Sequence, residues 1–368
     1  MKRTLWTLLL IFAASAIFGQ TAKYSNEFLS LGLGARGLAM GNTMTAIADD
    51  VTAAYWNPAG LSNMPKRYEL GLMHAEYFAG IAKYDYAGVA VRIDSQSTVG
   101  FSYIRFGVDN IMNTTELIDN QGNVDYSRIT LFSSADNAFM LTYAHNFKQV
   151  KGLSLGGNVK VLRRRIGNFA GAWGFGVDLG LHYVNRGWNV GLLVRDATST
   201  FNAWSYHLSE PVIAVFEETG NEIPKNGLEL TIPKVIIGGG KYVELGKGFN
   251  ATFALDFDFT FDGRRHSLIR SNVLCIDPHF GMEFAYKRIV AIRAGIGNFQ
   301  QEPDFDGKKK TTLQINLGIG VCIKNIVTID YALTDIGDLS IAQYSHIFSL
   351  KVGIDRFRKQ KKTEPQLP

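Results

Sequence analysis

The chain has 368 residues, of which 19% are charged and 12% are aromatic, and it contains 38 glycines but only 9 prolines. This composition excludes a disordered chain, a collagen-like fold and a disulfide-stapled scaffold. The net charge of +5 is small for this length, and the Lys and Arg residues are scattered, so no nucleic-acid partner is expected. Cys275 and Cys322 are too few for a disulfide framework and lack metal-ligand spacing.

The N-terminus has the layout of a secretory signal peptide, which we assign to residues 1–19. Lys2 and Arg3 precede an apolar run over residues 5–18, and small residues follow it. The triplet Ala14-Ser15-Ala16 also fits the small-x-small cleavage pattern, so the cleavage site stays open. An uncleaved anchor is the alternative, but the run is shorter than the roughly 20 residues that a spanning helix needs. No second long apolar run follows, so any insertion into a membrane must use a β-barrel.

Residues 20–66 lack strand alternation, and we predict that they form a hatch inside a barrel. Small residues dominate positions 31–61 and permit close packing of the backbone. Pro58 interrupts regular structure, and Gly60 is expected to adopt a turn conformation that other residues avoid. Asp49 and Asp50 are expected to cap a short helix that reaches Trp56. A catalytic role for the two carboxylates is the weaker alternative, because adjacent side chains point in different directions.

From about residue 68 onward, apolar and small or polar residues alternate with the period of two that is typical of strands. Trp173, Phe175 and Leu179 share one face of such a stretch, and Gly174 and Asp178 lie on the other. We predict an all-β fold, an antiparallel transmembrane barrel of about 14 strands, each near the 9–11 residues of a tilted membrane strand. The predicted strands are 68–77, 84–93, 97–107, 137–147, 153–163, 172–184, 188–195, 232–243, 250–258, 273–286, 289–297, 311–322, 326–333 and 344–354.

The lengths of the connections favour a barrel over a soluble β-sandwich. Connections after even-numbered strands are short, whereas those over 108–136 and 196–231 are long. Short turns on one side, long loops on the other and an even strand count are typical of outer-membrane barrels. The barrel is assigned to residues 67–355, and the basic residues 356–368 to a periplasmic tail. A secreted or periplasmic β-protein is the alternative.

Three blocks of the predicted hatch together resemble the N-terminal signature of the FadL superfamily of outer-membrane barrels. The first block contains Arg36, Gly37, Met40 and Gly41, the second Asp49 and Asp50, and the third Trp56, Asn57, Pro58, Ala59 and Gly60. The opening Gly-Ala-Arg-Gly and the Trp before Asn-Pro-Ala-Gly look most like the PorV/PorQ branch. The resemblance implies a fourteen-stranded barrel with an N-terminal hatch.

The resemblance implies two alternative functions, neither of them enzymatic. PorV-type proteins are components of the type IX secretion system, so the expected partners are its translocon and secreted cargo proteins with C-terminal signal domains. FadL-type proteins transport long-chain fatty acids or other hydrophobic compounds, so the alternative is a hydrophobic ligand in the lumen. In either case the expected location is the outer membrane, in contact with its lipids and lipopolysaccharide.

The long connection 196–231 is a candidate loop for binding a partner or a ligand, because it contains the aromatic residues Phe201, Trp204, Tyr206 and Phe216. Folding back over the barrel mouth is the equal alternative. Asp277, His279 and Glu283 share one strand face, and polar lining of the lumen is favoured over a metal site there. No spacing for a catalytic triad, phosphate loop or zinc site is present. We therefore expect no enzyme activity, no cofactor and no metal.

Overall fold

The computed structural model describes residues 25–118, 121–303, 309–336 and 344–355. The predicted signal peptide and basic tail lie outside these residues. In the described part, antiparallel strands close a barrel, because the first strand pairs with the last from Tyr68 opposite Ile354 to Glu76 opposite His346. The strands are β1 Tyr68–Tyr77, β2 Ala82–Arg92, β3 Ser97–Asn113, β4 Thr130–Asn146, β5 Leu153–Ile166, β6 Ala170–Asn185, β7 Trp188–Arg195, β8 Thr200–Tyr206, β9 Gly227–Thr231, β10 Lys234–Gly246, β11 Phe249–Thr260, β12 Ile269–Arg270, β13 Cys275–Tyr286, β14 Val290–Pro303, β15 Lys309–Ile323, β16 Val327–Ile336 and β17 Ser345–Ile354.

Fourteen of these strands form the ring of the barrel, which confirms the predicted fold class. The ring runs from β1 to β7 and continues through β10, β11, β13 and then β14 to β17. The remaining strands β8, β9 and β12 extend the sheet at one end. At the opposite end, the turn end, the connections are short, namely 93–96, 147–152, 186–187, 247–248, 287–289 and 324–326. We call the end with β8, β9 and β12 the loop end.

The long connection predicted over 196–231 contains two strands and a helix. β7 pairs with the turn-end half of β6, and β8 pairs with the loop-end half of the same strand. β8 then pairs with β9, and the helix Glu210–Glu218 connects them. The alternation is hard to see in the sequence because residues 196–199 interrupt it, with positive φ angles at Asp196 and Ser199.

The predicted loop over 108–136 is likewise shorter than expected, because β3 continues to Asn113 and β4 starts at Thr130. β2 pairs with β3 only as far as Val108, and β5 pairs with β4 only from Ser134. The two long strands therefore project as a hairpin beyond their neighbours at the loop end. A short 3₁₀ helix, Tyr126–Arg128, lies in the connection.

The two faces of the barrel wall differ as the alternation predicted. Along β6, the outward side chains of Trp173, Phe175 and Leu179 are exposed, whereas Asp178 and His182 are buried inside. Two of the tyrosines near strand ends, Tyr77 and Tyr84, do not belong to an aromatic girdle on the outside, because both are buried inside the barrel. No helix among the described residues has the length and apolar character to cross a membrane.

Residues 25–64 lie inside the barrel, and we call them the internal segment. The segment contains short helices at Glu27–Ser30, Ala35–Ala39, Ala53–Trp56 and Pro58–Asn63. Its apolar side chains form one buried cluster with inward side chains of the wall, including Leu33, Met44, Trp56 and Met73. The core of the protein is therefore the interior of the barrel, filled by its own N-terminal region.

Candidate functional site

The internal segment follows the inner wall around the barrel and packs against a belt of inward-facing glycines. A Cβ atom at Gly156 would lie 2.5 Å from the main-chain nitrogen of Ala59, and one at Gly71 would lie 2.6 Å from Cγ1 of Val51. These distances are too short for a Cβ atom, so the segment approaches the wall more closely at these positions than any residue other than glycine would permit. Residues of this belt are Gly71, Gly100, Gly156, Gly180, Gly191, Gly238, Gly281, Gly295 and Gly318.

Trp56 occupies the centre of the internal segment and packs on Gly37. A Cβ atom at Gly37 would lie 2.6 Å from Cζ2 of the indole ring, which explains the need for glycine. The indole Nε1 donates a hydrogen bond of 3.0 Å to the carbonyl of Leu33, and the ring of Tyr55 meets the indole edge-on at 4.9 Å. The first and third sequence blocks therefore contact each other directly, with the tryptophan as the central side chain.

Asn57 joins the internal segment to itself and to the barrel wall. Its Nδ2 donates hydrogen bonds to the carbonyls of Thr45 at 2.8 Å and Leu181 at 3.0 Å, and its Oδ1 accepts one from the nitrogen of Ala59 at 3.2 Å. Pro58 occupies the first position of the helix Pro58–Asn63, where its missing N–H has no consequence. Replacing Asn57 would therefore disconnect two parts of the segment and β6 at once.

Gly60 and Gly41 are needed for different reasons, and the expectation for Gly60 was wrong. Gly60 is not in the left-handed region of backbone space. A Cβ atom there would instead overlap the carbonyl oxygen of Ala48. Gly41 has a φ of 65°, and its backbone lies against the backbone of Ile296 on β14. Met40, which precedes it, is completely buried.

A chain of ion pairs connects Arg36 to the wall. Nε of Arg36 lies 3.1 Å from Oε2 of Glu283, and its Nη1 lies 3.0 Å from Oδ1 of Asp49. Glu283 also pairs with Arg293 at 2.6 Å, and Arg293 pairs with Asp330 at 2.7 Å. Both oxygens of Glu283 are thus engaged by arginines, and the described residues contain no cluster of side chains suited to a metal ion.

Asp50 holds the internal segment to β17. Its Oδ2 lies 2.6 Å from Nζ of Lys351, and its Oδ1 accepts hydrogen bonds from the nitrogen and hydroxyl of Thr52. Asp50 thus fixes the turn before the helix Ala53–Trp56 rather than capping the helix directly. Burial alone would raise the pKa of Asp50, but the charges of Lys351 and Arg36 outweigh it and hold that pKa below its usual range.

A small cavity adjoins this ion pair, between the internal segment and strands β1, β16 and β17. Its volume is about 30 Å³, and its lining includes Leu33, Val51, Met73, Ser349 and Lys351. Such a volume holds no more than one or two water molecules. The internal segment therefore packs closely against β1, β16 and β17 at this point.

Toward the loop end, the inner wall formed by β1 to β3 is apolar, and apolar residues continue onto β4 and β5. There they lie beside the inward Lys160, which is buried, and the Arg164–Asp136 ion pair. Water-filled barrels have polar interiors, so this lining is unusual for a passage that serves ions or sugars. Sequence reasoning treated the inward face as merely tolerant of water and missed this division of the lumen. The buried inward side chains of this wall include Met73, Ala75, Tyr77, Tyr84, Ile104, Ala138, Met140 and Leu162.

The four aromatic residues of the predicted binding loop do not form a single site. Phe201 lies on the outer face of β8 beside Phe175, with ring centroids 6.3 Å apart. Trp204 lies under Arg164, donates a hydrogen bond of 2.9 Å to Glu229, and stacks on Tyr206. Phe216 belongs to the helix Glu210–Glu218. The alternation of β8 thus places these side chains on different surfaces.

Comparisons with known proteins bear on the fold. The family model described as "Uncharacterised protein family (UPF0164)" matches residues 11–173, which is under half of the chain. A search of curated proteins finds no match. The chain is similar to the CymD monoaromatic hydrocarbon channel, with 12% identity, a TM-score of 0.55, and coverage of 89% of this chain and 98% of that one.

Two further solved structures are similar over the same extent. The Pseudomonas putida toluene transporter TodX has 13% identity and a TM-score of 0.54, with coverage of 90% of this chain and 98% of that one. A Pseudomonas aeruginosa FadL homologue has 12% identity and a TM-score of 0.49, with coverage of 88% and 98%. At such identities the likeness to the CymD and TodX channels shows a shared β-barrel fold.

Proposed function

We propose that the chain is a non-enzymatic outer-membrane barrel through which hydrophobic small molecules pass, and that residues 20–66 act as its hatch. The observation that carries this proposal is the apolar inner wall of β1 to β3 at the loop end. A solute that loses its hydration on entering gains from contact with apolar side chains, whereas an ion or a sugar loses hydrogen bonds there. The similar CymD is a monoaromatic hydrocarbon channel and TodX is a toluene transporter, which supports the same class of solute.

The internal segment has the features expected of a hatch. It fills the lumen, and its ion pairs from Arg36 and Asp50 reach inward residues of β13 and β17. These pairs are polar contacts at the edge of the segment, next to the small cavity. Because the segment packs closely on glycines of most wall strands, passage along the lumen requires it to shift away from part of the wall.

The outer surface supports insertion into the outer membrane. Exposed apolar side chains such as Leu70, Leu72 and Phe348 cover the wall. Closer to the loop end, β1 to β3 carry an outward network in which Nδ1 of His74 lies 2.7 Å from Asp85, and Arg105 lies 3.7 Å from the same carboxylate. Charges at this height suit the headgroup region, where lipopolysaccharide phosphates are the expected lipid partners.

Uptake into vesicles tests the proposal. The purified protein is placed in vesicles whose outer leaflet contains lipopolysaccharide, and entry of labelled toluene, a labelled long-chain fatty acid and a labelled sugar is followed. We expect the protein to accelerate entry of the hydrophobic solutes and to leave entry of the sugar unchanged. Equal acceleration of all three, or none, would contradict it. Heat-denatured protein in the same vesicles is the control.

A role in type IX secretion is a second candidate, favoured by one separate observation. The projecting hairpin of β3 and β4 exposes apolar side chains beyond the barrel, including Met112, which is 68% exposed, and Tyr126, which is 75% exposed. Apolar groups outside the bilayer are typical of protein-binding surfaces. The test is purification of the tagged barrel from outer membranes. Recovery of a large translocon barrel or of surface-bound cargo supports secretion, and recovery of the barrel alone contradicts it.

A further inference from the structure

Two tyrosines of the apolar inner wall carry hydroxyl groups without partners. Tyr77 is the last residue of β1 and is 7% exposed, and Tyr84, near the start of β2, is 0% exposed. Their ring centroids lie 6.3 Å apart. Neither hydroxyl oxygen has a hydrogen-bond partner within the described ranges of the chain. The two groups therefore lie side by side in the interior with their hydrogen-bonding capacity unused.

Other buried tyrosines nearby are bonded. The hydroxyl of Tyr55 donates to the carbonyl of Leu29 at 2.5 Å and accepts from the nitrogen of Gly32 at 3.1 Å. The hydroxyl of Tyr86, two residues beyond Tyr84, donates to the carbonyl of Val51 at 3.2 Å. These hydroxyls form hydrogen bonds with the backbone of the internal segment, whereas those of Tyr77 and Tyr84 form none among the described residues. A buried hydroxyl without a partner costs stability, and phenylalanine would fill the same space without that cost.

The surroundings of the pair restrict the chemistry of a ligand. The ring of Phe106 lies 6.0 Å from that of Tyr84, and Ile104 and Phe28 belong to the same buried cluster. Apolar walls suit an apolar body. Two phenol groups can donate to the two lone pairs of one oxygen atom, or one of them can accept from a ligand hydroxyl. They carry no charge, and burying an ionised group here is unfavourable.

We infer that Tyr77 and Tyr84 together recognise the oxygen atom of an uncharged, oxygen-bearing hydrophobic compound, such as a phenol or an alcohol. This inference rests on the proposed function and specifies its substrate class. A bare hydrocarbon leaves both hydroxyls without partners, so it binds less well than its hydroxylated counterpart. Because the pair is buried in one cluster with Phe28 of the internal segment, a ligand reaches it only when that segment shifts away from the wall.

The test compares p-cresol with toluene, which differ by one hydroxyl group. Equilibrium dialysis of the detergent-solubilised barrel measures the dissociation constant of each, relative to protein-free micelles. We expect wild-type protein to prefer p-cresol by about tenfold, as one or two net hydrogen bonds imply. The double variant Tyr77→Phe/Tyr84→Phe is expected to lose this preference while its affinity for toluene stays within about twofold of wild type.

Two further measurements make the outcome decisive. The variant Tyr86→Phe is the matched control, because it removes a hydroxyl that already has a partner, and the preference should survive. The double Phe variant should also be at least as heat-stable as wild type, because it loses two unpartnered groups. An unchanged preference in the double variant means that the two hydroxyls do not recognise the ligand oxygen, and this overturns the inference. Failure of both compounds to bind wild-type protein instead overturns the proposed function.

Discussion

Truncation of Trp56 is the sharpest test of how the internal segment is held. The indole is only 6% exposed, packs on Gly37 and donates a hydrogen bond to Leu33. A buried tryptophan removes roughly 150–250 Å² from water, and at about 25 cal/mol per Å² this is roughly 4–6 kcal/mol. Replacing such a side chain with alanine typically costs about 3–5 kcal/mol. Trp56→Ala should therefore shift the equilibrium between seated and displaced segment by about 10²- to 10³-fold.

The consequence is measurable because the segment fills the lumen. We expect Trp56→Ala barrels in planar bilayers at neutral pH to conduct ions through frequent openings, whereas wild-type barrels remain mostly closed. The wall itself should stay intact, because its strand pairing does not involve Trp56. Electrophoresis with and without prior heating checks this, because a folded barrel migrates faster before heating than the unfolded chain does after it.

A matched control is Trp188→Ala. Trp188 is 59% exposed on the outer surface, so its truncation should leave the conductance unchanged. The reasoning is refuted if folded Trp56→Ala barrels conduct no more than wild type, or if both variants open equally. The first result would mean that the glycine belt alone holds the segment, and the second that conductance reports damage to the wall.

Three further predictions concern the contacts between the segment and the wall. Glu283→Gln leaves the buried Arg293 and the partly exposed Arg36 without a full partner. It should lower barrel stability by about 3–5 kcal/mol, measured as the temperature at which the folded electrophoretic form disappears. Lys351 lowers the pKa of Asp50. The carboxylate therefore contributes fully to holding the segment above about pH 4, the ordinary pKa of aspartate, and this contribution is lost as the pH falls below that value. Conductance of wild-type barrels should rise on acidification, and Asp50→Asn barrels should show the raised conductance already at neutral pH. Gly191→Val places a side chain against the backbone of the segment and should block folding of the barrel or displace the segment. A Cβ atom at Gly239 would have no other atom within 4 Å, so the control variant Gly239→Val should assemble normally. The yields of folded barrel in outer membranes distinguish the two variants.

The strands were predictable because their alternation is a local property. Predicted and observed bounds agree closely for β1, β7 and β17. The prediction failed at β8 and β9, because four residues with irregular backbone separate β7 from β8. It also made β3 and β4 too short at the loop end. There the two strands pair only with each other and lack the alternation that a bilayer imposes.

The sequence by itself determined the period of the wall, the strand number and the residues of the hatch motif. Only the tertiary structure decided what those residues do. Gly37 packs against the indole of Trp56, and Gly60 packs against the carbonyl of Ala48. Arg36 bonds to Glu283 on β13, which is 247 positions away in the sequence. Local periodicity reports which face a residue occupies, but contacts between distant positions depend on closure of the ring. The apolar inner wall at the loop end and the unpartnered hydroxyls of Tyr77 and Tyr84 can be recognised only once the ring is closed.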